Sequence, residues 1–188
     1  MDDIVKQAMA KWPHVPACYG WLGLDARGNW YLRDAAAQAC GSFASGLPGA
    51  KGAEVRHAKL AEFMGRNYLC DAAGQWYFQN GPQQVFVELE CTPWIWRVQL
   101  QQQALGIQTH TGQALPLSEV QHVLMDETGG VYLLASIGVG LVHSQDVLDL
   151  SMALEQQLLP EPQAVQRCEL PARYGFVRSP QAMAERLP

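Results

Sequence analysis

Two hydrophobic periods succeed one another along the chain. At the start, Ile4, Val5, Ala8, Met9 and Trp12 recur at helical spacing until Pro13 and Pro16 break the run, which predicts a helix packed on a sheet. Gly20 to Asp34 then reads as a β-hairpin. The Gly-, Ser- and Ala-rich run from Cys40 to Gly52 has no period and is expected to be a mobile connection. Helical spacing returns between Val55 and Asn67 through Leu60, Phe63 and Met64, completing an N-terminal αββα half over residues 1–66. From Tyr68 the period becomes two. Val85, Val87 and Leu89 alternate with Phe86, Glu88 and Glu90, Pro93 interrupts, and Trp94, Trp96 and Val98 alternate with Ile95 and Arg97. These runs are expected to form an antiparallel pair, with Gln99 to Gln103 ending a strand or lying on its exposed edge. Four more strands are predicted at Leu105–His110, Val120–Met125, Val131–Ser136 and Ile137–Val142. Ser144 is placed to cap a final helix with Asp146 in its first turn and an inward stripe of Val147, Leu150 or Ser151, Leu154 and Leu158.

This order sets the fold class as α+β. Around seven antiparallel strands followed by a helix match the element order of a pleckstrin-homology-like barrel, assigned here to residues 67–159. Residues 160–188 are expected to form an irregular tail in which Tyr174, Phe176 and Val177 make a short docking strand. One turn repeats within this scheme. Asp25-Ala26-Arg27-Gly28-Asn29-Trp30-Tyr31, Asp71-Ala72-Ala73-Gly74-Gln75-Trp76-Tyr77 and Asp126-Glu127-Thr128-Gly129-Gly130-Val131-Tyr132 all read Asp-x-x-Gly, followed by strand residues ending in Tyr. The Asp side chain bonds backbone further along the turn, and Gly takes the left-handed conformation that returns a type I turn into a twisted strand. Repetition of one hairpin points to a β-rich, internally duplicated scaffold, a kind of protein that more often binds than catalyses.

Composition narrows the function classes. No run approaches the roughly 18 apolar residues of a membrane span, and the start lacks a signal peptide's basic end and apolar core, so a bacterial cytoplasmic location is expected. The five cysteines are scattered without a close pair, as reduced thiols would be. Residues 1–66 carry eight Lys or Arg against six Asp or Glu, and the remainder five against twelve, giving a total of −5. Duplex nucleic acid is therefore not an expected partner, because it requires a concentrated basic surface.

Specific chemistry is sparse. His14 and Cys18 are the nearest approach to a metal-ligand pair, and proline breaks the segment between them, so neither a metal site nor a cofactor is expected. Cys18, at the mouth of the first hairpin, is the candidate for a thiol enzyme, an alternative to a protein without catalysis of its own. The glycines from Gly46 to Gly52 lack the order of a phosphate loop. More informative is the basic cluster Lys51, Arg56, His57, Lys59 and Arg66 around the second helix, whose N-terminus favours an anion. Trp21 and Trp94 are candidates for stacking on a ring, whereas Trp30 and Trp76 hold equivalent repeat positions and are expected to pack the hairpins.

Four segments, in order, resemble a bacterial family of unknown function built from two related halves, the second pleckstrin-homology-like. They are Gly28-Asn29-Trp30, Val55-Arg56-His57-Ala58-Lys59-Leu60, Leu89-Glu90-Cys91-Thr92-Pro93-Trp94 and Ala135-Ser136-Ile137-Gly138-Val139. His57 stands where that family has arginine, Cys91 and Val139 where it has aspartate, and Gln83 where it has glutamate; Glu90 is retained. The run from Lys11 to Trp21 also looks like a narrower proteobacterial uncharacterised family. The broader resemblance implies a ligand, with a nucleotide as one candidate, in the cleft between halves, and a signalling role. The resulting expectation is a regulatory protein that holds a small anionic ligand between two subdomains. Arg56 and His57 would bind phosphate or carboxylate, Trp94 or Trp21 would stack, and Glu90 would accept hydrogen bonds. The alternative partner is a protein, added as a strand along an open sheet edge near the glutamine run.

Overall fold

The computed structural model describes residues 1–102 and 104–186, so Gln103, the last of the glutamine run, lies outside them. Elements follow in the order α1 (Asp3–Lys11), β1 (Cys18–Leu24), β2 (Trp30–Leu32), α2 (Ala35–Cys40), β3 (Ala53–Glu54), α3 (Ala58–Arg66), β4 (Tyr68–Cys70), β5 (Trp76–Asn80) and β6 (Gln83–Leu89). The chain continues through β7 (Trp94–Gln101), β8 (Ala104–Thr109), β9 (Ala114–Leu115), β10 (Val120–Asp126), β11 (Val131–Ala135), β12 (Gly138–Val142), α4 (Val147–Glu155), β13 (Gln163–Val165), α5 (Leu170–Tyr174) and α6 (Pro180–Ala184). It is thus an α+β protein. Two compact units are formed, one from residues 1–25, 29–91 and 176–188 and the other from residues 26–28 and 92–175. The expected division after residue 66 falls between α3 and β4, both inside the first unit, and the chain crosses to the second after Cys91.

Each unit is organised on one sheet, ordered β3-β2-β1-β6-β5-β4 in the first and β13-β10-β11-β12-β7-β8-β9 in the second. Setting β13 aside, the two orders are the same. Each is a pair of three-stranded antiparallel meanders, joined where the first strand of one meander runs parallel to the last strand of the other: β1 with β6 and β12 with β7. In the first unit α6 packs on β1 and β6; in the second α4 packs on β7. Several expectations change accordingly. β6 and β7 do not pair, because each is the central partner of a different sheet and the break at Pro93 carries the chain from one to the other. Among the described residues the second sheet does not close into a barrel, since β13 and β9 are its edges, and the β12–β7 and β10–β13 pairings are parallel. Residues 160–188 contain β13, α5 and α6, and Phe176 is buried.

All three repeated turns form hairpins. In each, the Asp carboxylate accepts a backbone N–H four residues on, from Asn29, Gln75 and Gly130 at 2.8, 2.8 and 2.7 Å. Gly28, Gly74 and Gly129 have φ of 82°, 79° and 83°, where a side chain would be strained. The repeat's aromatic residues also converge, as Trp30 and Trp76 both pack against Tyr68, with ring centroids 5.2 and 4.7 Å apart. A fourth copy joins β8 to β9. There Thr109 replaces Asp, its hydroxyl accepting from the Gln113 N–H at 3.1 Å, and Gly112 has φ 83°.

Helices depart further from expectation. Only Val5 of the α1 stripe is buried, while Ile4 and Trp12 are exposed. The helix is tied at its start, where the Asp2 N–H donates to the Asn67 side chain and Arg66 donates to the Asp2 carboxylate, and this leaves one position facing inward. Short α2, N-capped by Asp34 through the Ala37 N–H, lies between the predicted hairpin and the run that starts at Cys40, where no element was expected. In α4 the buried residues are Leu150 and Ala153, and Val147 points outward.

The central parallel pairs are tight. A Cβ on Gly140 would lie 2.7 Å from the Trp94 carbonyl oxygen and 2.5 Å from the Trp96 indole nitrogen, neither of which can yield without moving β7. Gly140→Ala is therefore expected to cost about 1–3 kcal/mol through overpacking, read as a lower urea midpoint at unchanged slope.

Candidate functional site

The first unit contains a hollow of about 670 Å³ walled by Trp21 and Val85, by Leu32, Arg33, Asp34, Ala36 and Ala37 along the end of β2 and the start of α2, and by Cys40, Gly49, Gly52 and Ala53. Its floor is shaped by small residues. Ala36, Ala37, Ala53 and two glycines leave open space that larger side chains would fill, and Trp21 and Leu32 remain 49% and 52% exposed at the wall. Trp21 faces out because its strand alternates, with Leu22 turned to the core at 1% exposure.

Arg33, part of this wall, is also only 1% exposed. Its guanidinium donates to the carbonyls of Ala50, Gly20 and Gly41 at 2.8, 3.2 and 2.5 Å, with Ala37 at the limit of bonding distance. Burial draws its pKa down, and the nearby Glu88 carboxylate acts in the opposite sense. Glu88 is itself buried on β6, which pushes its carboxyl pKa up against the Ser179 hydroxyl and Gln181 N–H that donate to it at 2.5 and 2.9 Å. Arg33 thus organises the hollow rather than offering charge to it. Its donors are taken up by four backbone segments, including both ends of the run from Gly41 to Ala50.

Of the five residues picked from sequence, Trp21, Arg56, His57 and Glu90 belong to the first unit and Trp94 to the second. Trp21 lines the hollow. Arg56 projects into solvent with its side chain 86% exposed and its guanidinium 3.8 Å from Glu54. His57 N-caps α3, its Nδ1 accepting the Leu60 N–H at 3.3 Å, so that atom is not a donor for phosphate. Glu90 is paired with Lys51 at 2.8 Å, and its backbone carbonyl accepts from Arg178. Trp94, in the second unit, is buried on β7 and donates its indole N–H to the Ile137 carbonyl. Nor is the first unit basic, since it holds nine Lys or Arg against ten Asp or Glu once β4 to β6 are counted with it. Arg33 was missed because, between Leu32 and Asp34 on a hairpin, it reads as a solvated charge.

The glutamine end of β7 is not an open edge. β12 reaches only as far as Trp96, and beyond it Asp146 and Asp149 accept the Val98 and Leu100 N–H groups, each at 3.0 Å. Asp146 also takes two bonds from Arg97, at 2.6 and 3.0 Å. Burial alone would raise the Asp146 pKa, but the bonds from Arg97 and Val98 outweigh it and hold the carboxyl below the usual range. A second hollow, of about 490 Å³, opens here between Arg97, Gln99, Gln108 and the two carboxylates. Among the described residues no three His, Cys, Asp or Glu side chains are grouped as a metal ion would require, and no helix is long and apolar enough to cross a membrane.

Residues 1–181 match the family DUF2944, described as "Protein of unknown function (DUF2946)", and the chain belongs to that family. Two solved structures are similar over part of their length. A DUF1285 family protein from Silicibacter pomeroyi DSS-3 is 13% identical with a TM-score of 0.47, over 73% of this chain and 71% of that one. Another, from Shewanella baltica OS155, is 16% identical with a TM-score of 0.44, over 74% of this chain and 97% of that one. No curated protein matches.

Proposed function

We propose that the protein is a binding module without catalysis of its own, and that the hollow beside Trp21 receives a small molecule with a planar, apolar part. The observation that carries this reading is a half-exposed tryptophan on the wall of a hollow of about 670 Å³, within the range of small-molecule sites. Stacking on the indole face supplies affinity, and the small residues of the floor admit the ring. The anionic group expected from sequence has no partner on this wall, because Arg33 is spent on carbonyls, so the ligand's buried part is neutral. No cofactor is required. On this reading the second unit, whose strands β7 to β12 precede a covering helix as in pleckstrin-homology-like domains, engages a partner, which is the signalling role.

A thermal-shift panel of planar heteroaromatic compounds, including nucleosides and nucleotides, tests the reading. A compound at about 100 times its Kd adds about 2.7 kcal/mol, which raises the midpoint of a chain this size by about 5–10 °C. The shift is expected to vanish in Trp21→Ala and to survive Arg56→Ala with His57→Ala, and the compound should slow alkylation of Cys40, which lines the same hollow. A panel without a hit, or a shift unchanged in Trp21→Ala, overturns the assignment.

A further inference from the structure

The outward face of α4 has the chemistry of a docking surface. Val147, Leu148 and Met152 are 42%, 71% and 43% exposed, and Leu148 and Met152 are one helical turn apart, so their side chains form a continuous apolar stripe. The stripe exists for a structural reason. Asp146 and Asp149, which by residue type belong on a solvated face, are turned toward β7 to bond the N–H groups that β12 leaves without a strand partner. That orientation leaves Val147, Leu148 and Met152 in water while Leu150 and Ala153 are buried.

Charge identifies the occupant. From Val98 to Gln166 the chain has no Lys or Arg, and it has seven Asp or Glu: Glu119, Asp126, Glu127, Asp146, Asp149, Glu155 and Glu161. Two of these rim the stripe, Asp149 beside Leu148 and Glu155 one turn beyond Ser151. Asp146 is neutralised by Arg97, whereas Asp149 bonds only a backbone N–H among the described contacts and lines the hollow of about 490 Å³ next to the stripe. A second copy of this chain would bring like charges together, and an anionic membrane surface or a nucleic acid would be repelled. We propose that the outward face of α4 docks a basic amphipathic helix of a partner protein. Its apolar side packs on Leu148 and Met152, and one of its Lys or Arg side chains enters the hollow at Asp149.

The test uses the full chain and two synthetic amphipathic helices, one of leucine and lysine and one of leucine and glutamate, followed by fluorescence anisotropy. The lysine helix is expected to bind saturably, with an affinity that falls as salt rises. The double variant Leu148→Ser, Met152→Ser should weaken it by about 10-fold or more, as loss of a central apolar anchor does. Asp149→Asn should flatten the salt dependence, and Arg56→Ala, an exposed substitution in the first unit, should bind as the parent does. Circular dichroism verifies that each variant is folded; if the double variant is not, Leu148→Gln alone serves. Binding by the glutamate helix of equal strength, lysine-helix binding that the serine variants leave unchanged, or no binding at all overturns the proposal. So does sedimentation showing a dimer that the serine variants dissociate, which would assign the face to a second copy.

Discussion

Arg33→Ala is expected to remove about 3–5 kcal/mol of stability and to make the segment from Gly41 to Gly52 the first site of proteolytic cleavage. The cost has two sources. Carbonyls of Ala50, Gly20 and Gly41 lose their donors within the fold, each unsatisfied buried acceptor costing about 1–3 kcal/mol, and the vacated volume lies where Phe43 and Ala50 are fully packed. Arg33→Met restores volume without donors, and Arg33→Lys restores charge without the planar fork that reaches several carbonyls at once. Both are expected to recover only part of the loss. Urea midpoints for the three variants, with the cleavage site read by mass spectrometry, check the order Ala, then Met, then Lys; an equal and small loss in all three would show that the guanidinium does not hold this segment.

The second large effect is expected at Asp146. Asp146→Ala leaves the Val98 N–H without its acceptor and the Arg97 guanidinium without its counter-charge, for a loss of about 3 kcal/mol; because Arg97 is nearly half exposed and recovers water, the cost stays at the lower end for a broken buried pair. Asp146→Asn keeps an acceptor for Val98 and should cost about 1 kcal/mol. The pH dependence separates the two contributions. The folded pKa of Asp146 is depressed, so the ion pair's stability is fully present above the unfolded value of about 4 and is lost as pH falls through the folded value. Glu88 has the opposite sign: its folded pKa is raised, so the stability tied to its protonation is present below its unfolded value and declines as pH rises through the folded one. Denaturation followed from pH 7 downward should show a steeper acid loss in the parent than in Asp146→Asn, and superimposable curves would contradict the assignment.

What could be read from the residues was local. The three Asp-x-x-Gly turns are legible because each satisfies its own backbone within five residues, and the fourth was hidden only because the Thr109 hydroxyl replaces the carboxylate and no aromatic follows. Strand positions from Val85 to Val142 were legible except for the two-residue β9, too short to show a period. Their partners were not, since the choice between pairing β6 with β7 and pairing each with a distant strand is made by whole-sheet packing. The α4 stripe was misjudged for a related reason: carboxylates at positions 146 and 149 look solvated until the unfilled edge of β7 is known. At the candidate site Trp21 was legible only as one of the aromatics that could stack on a ring. The hollow beside it was not, because α2 and the carbonyl cage of Arg33 bring together segments that share no pattern.

The common order of the two sheets has a consequence for how the molecule is made. In each, the central pair joins the first strand to the last, so neither sheet has a middle until its sixth strand has been synthesised. The first unit waits longer still. Its covering helix α6 follows the whole of the second unit, so during translation the surface of β1 and β6 that α6 will occupy remains bare while some 90 further residues emerge, about 5–20 s at ordinary elongation rates. For that interval Glu88 has neither Ser179 nor Gln181 to satisfy it.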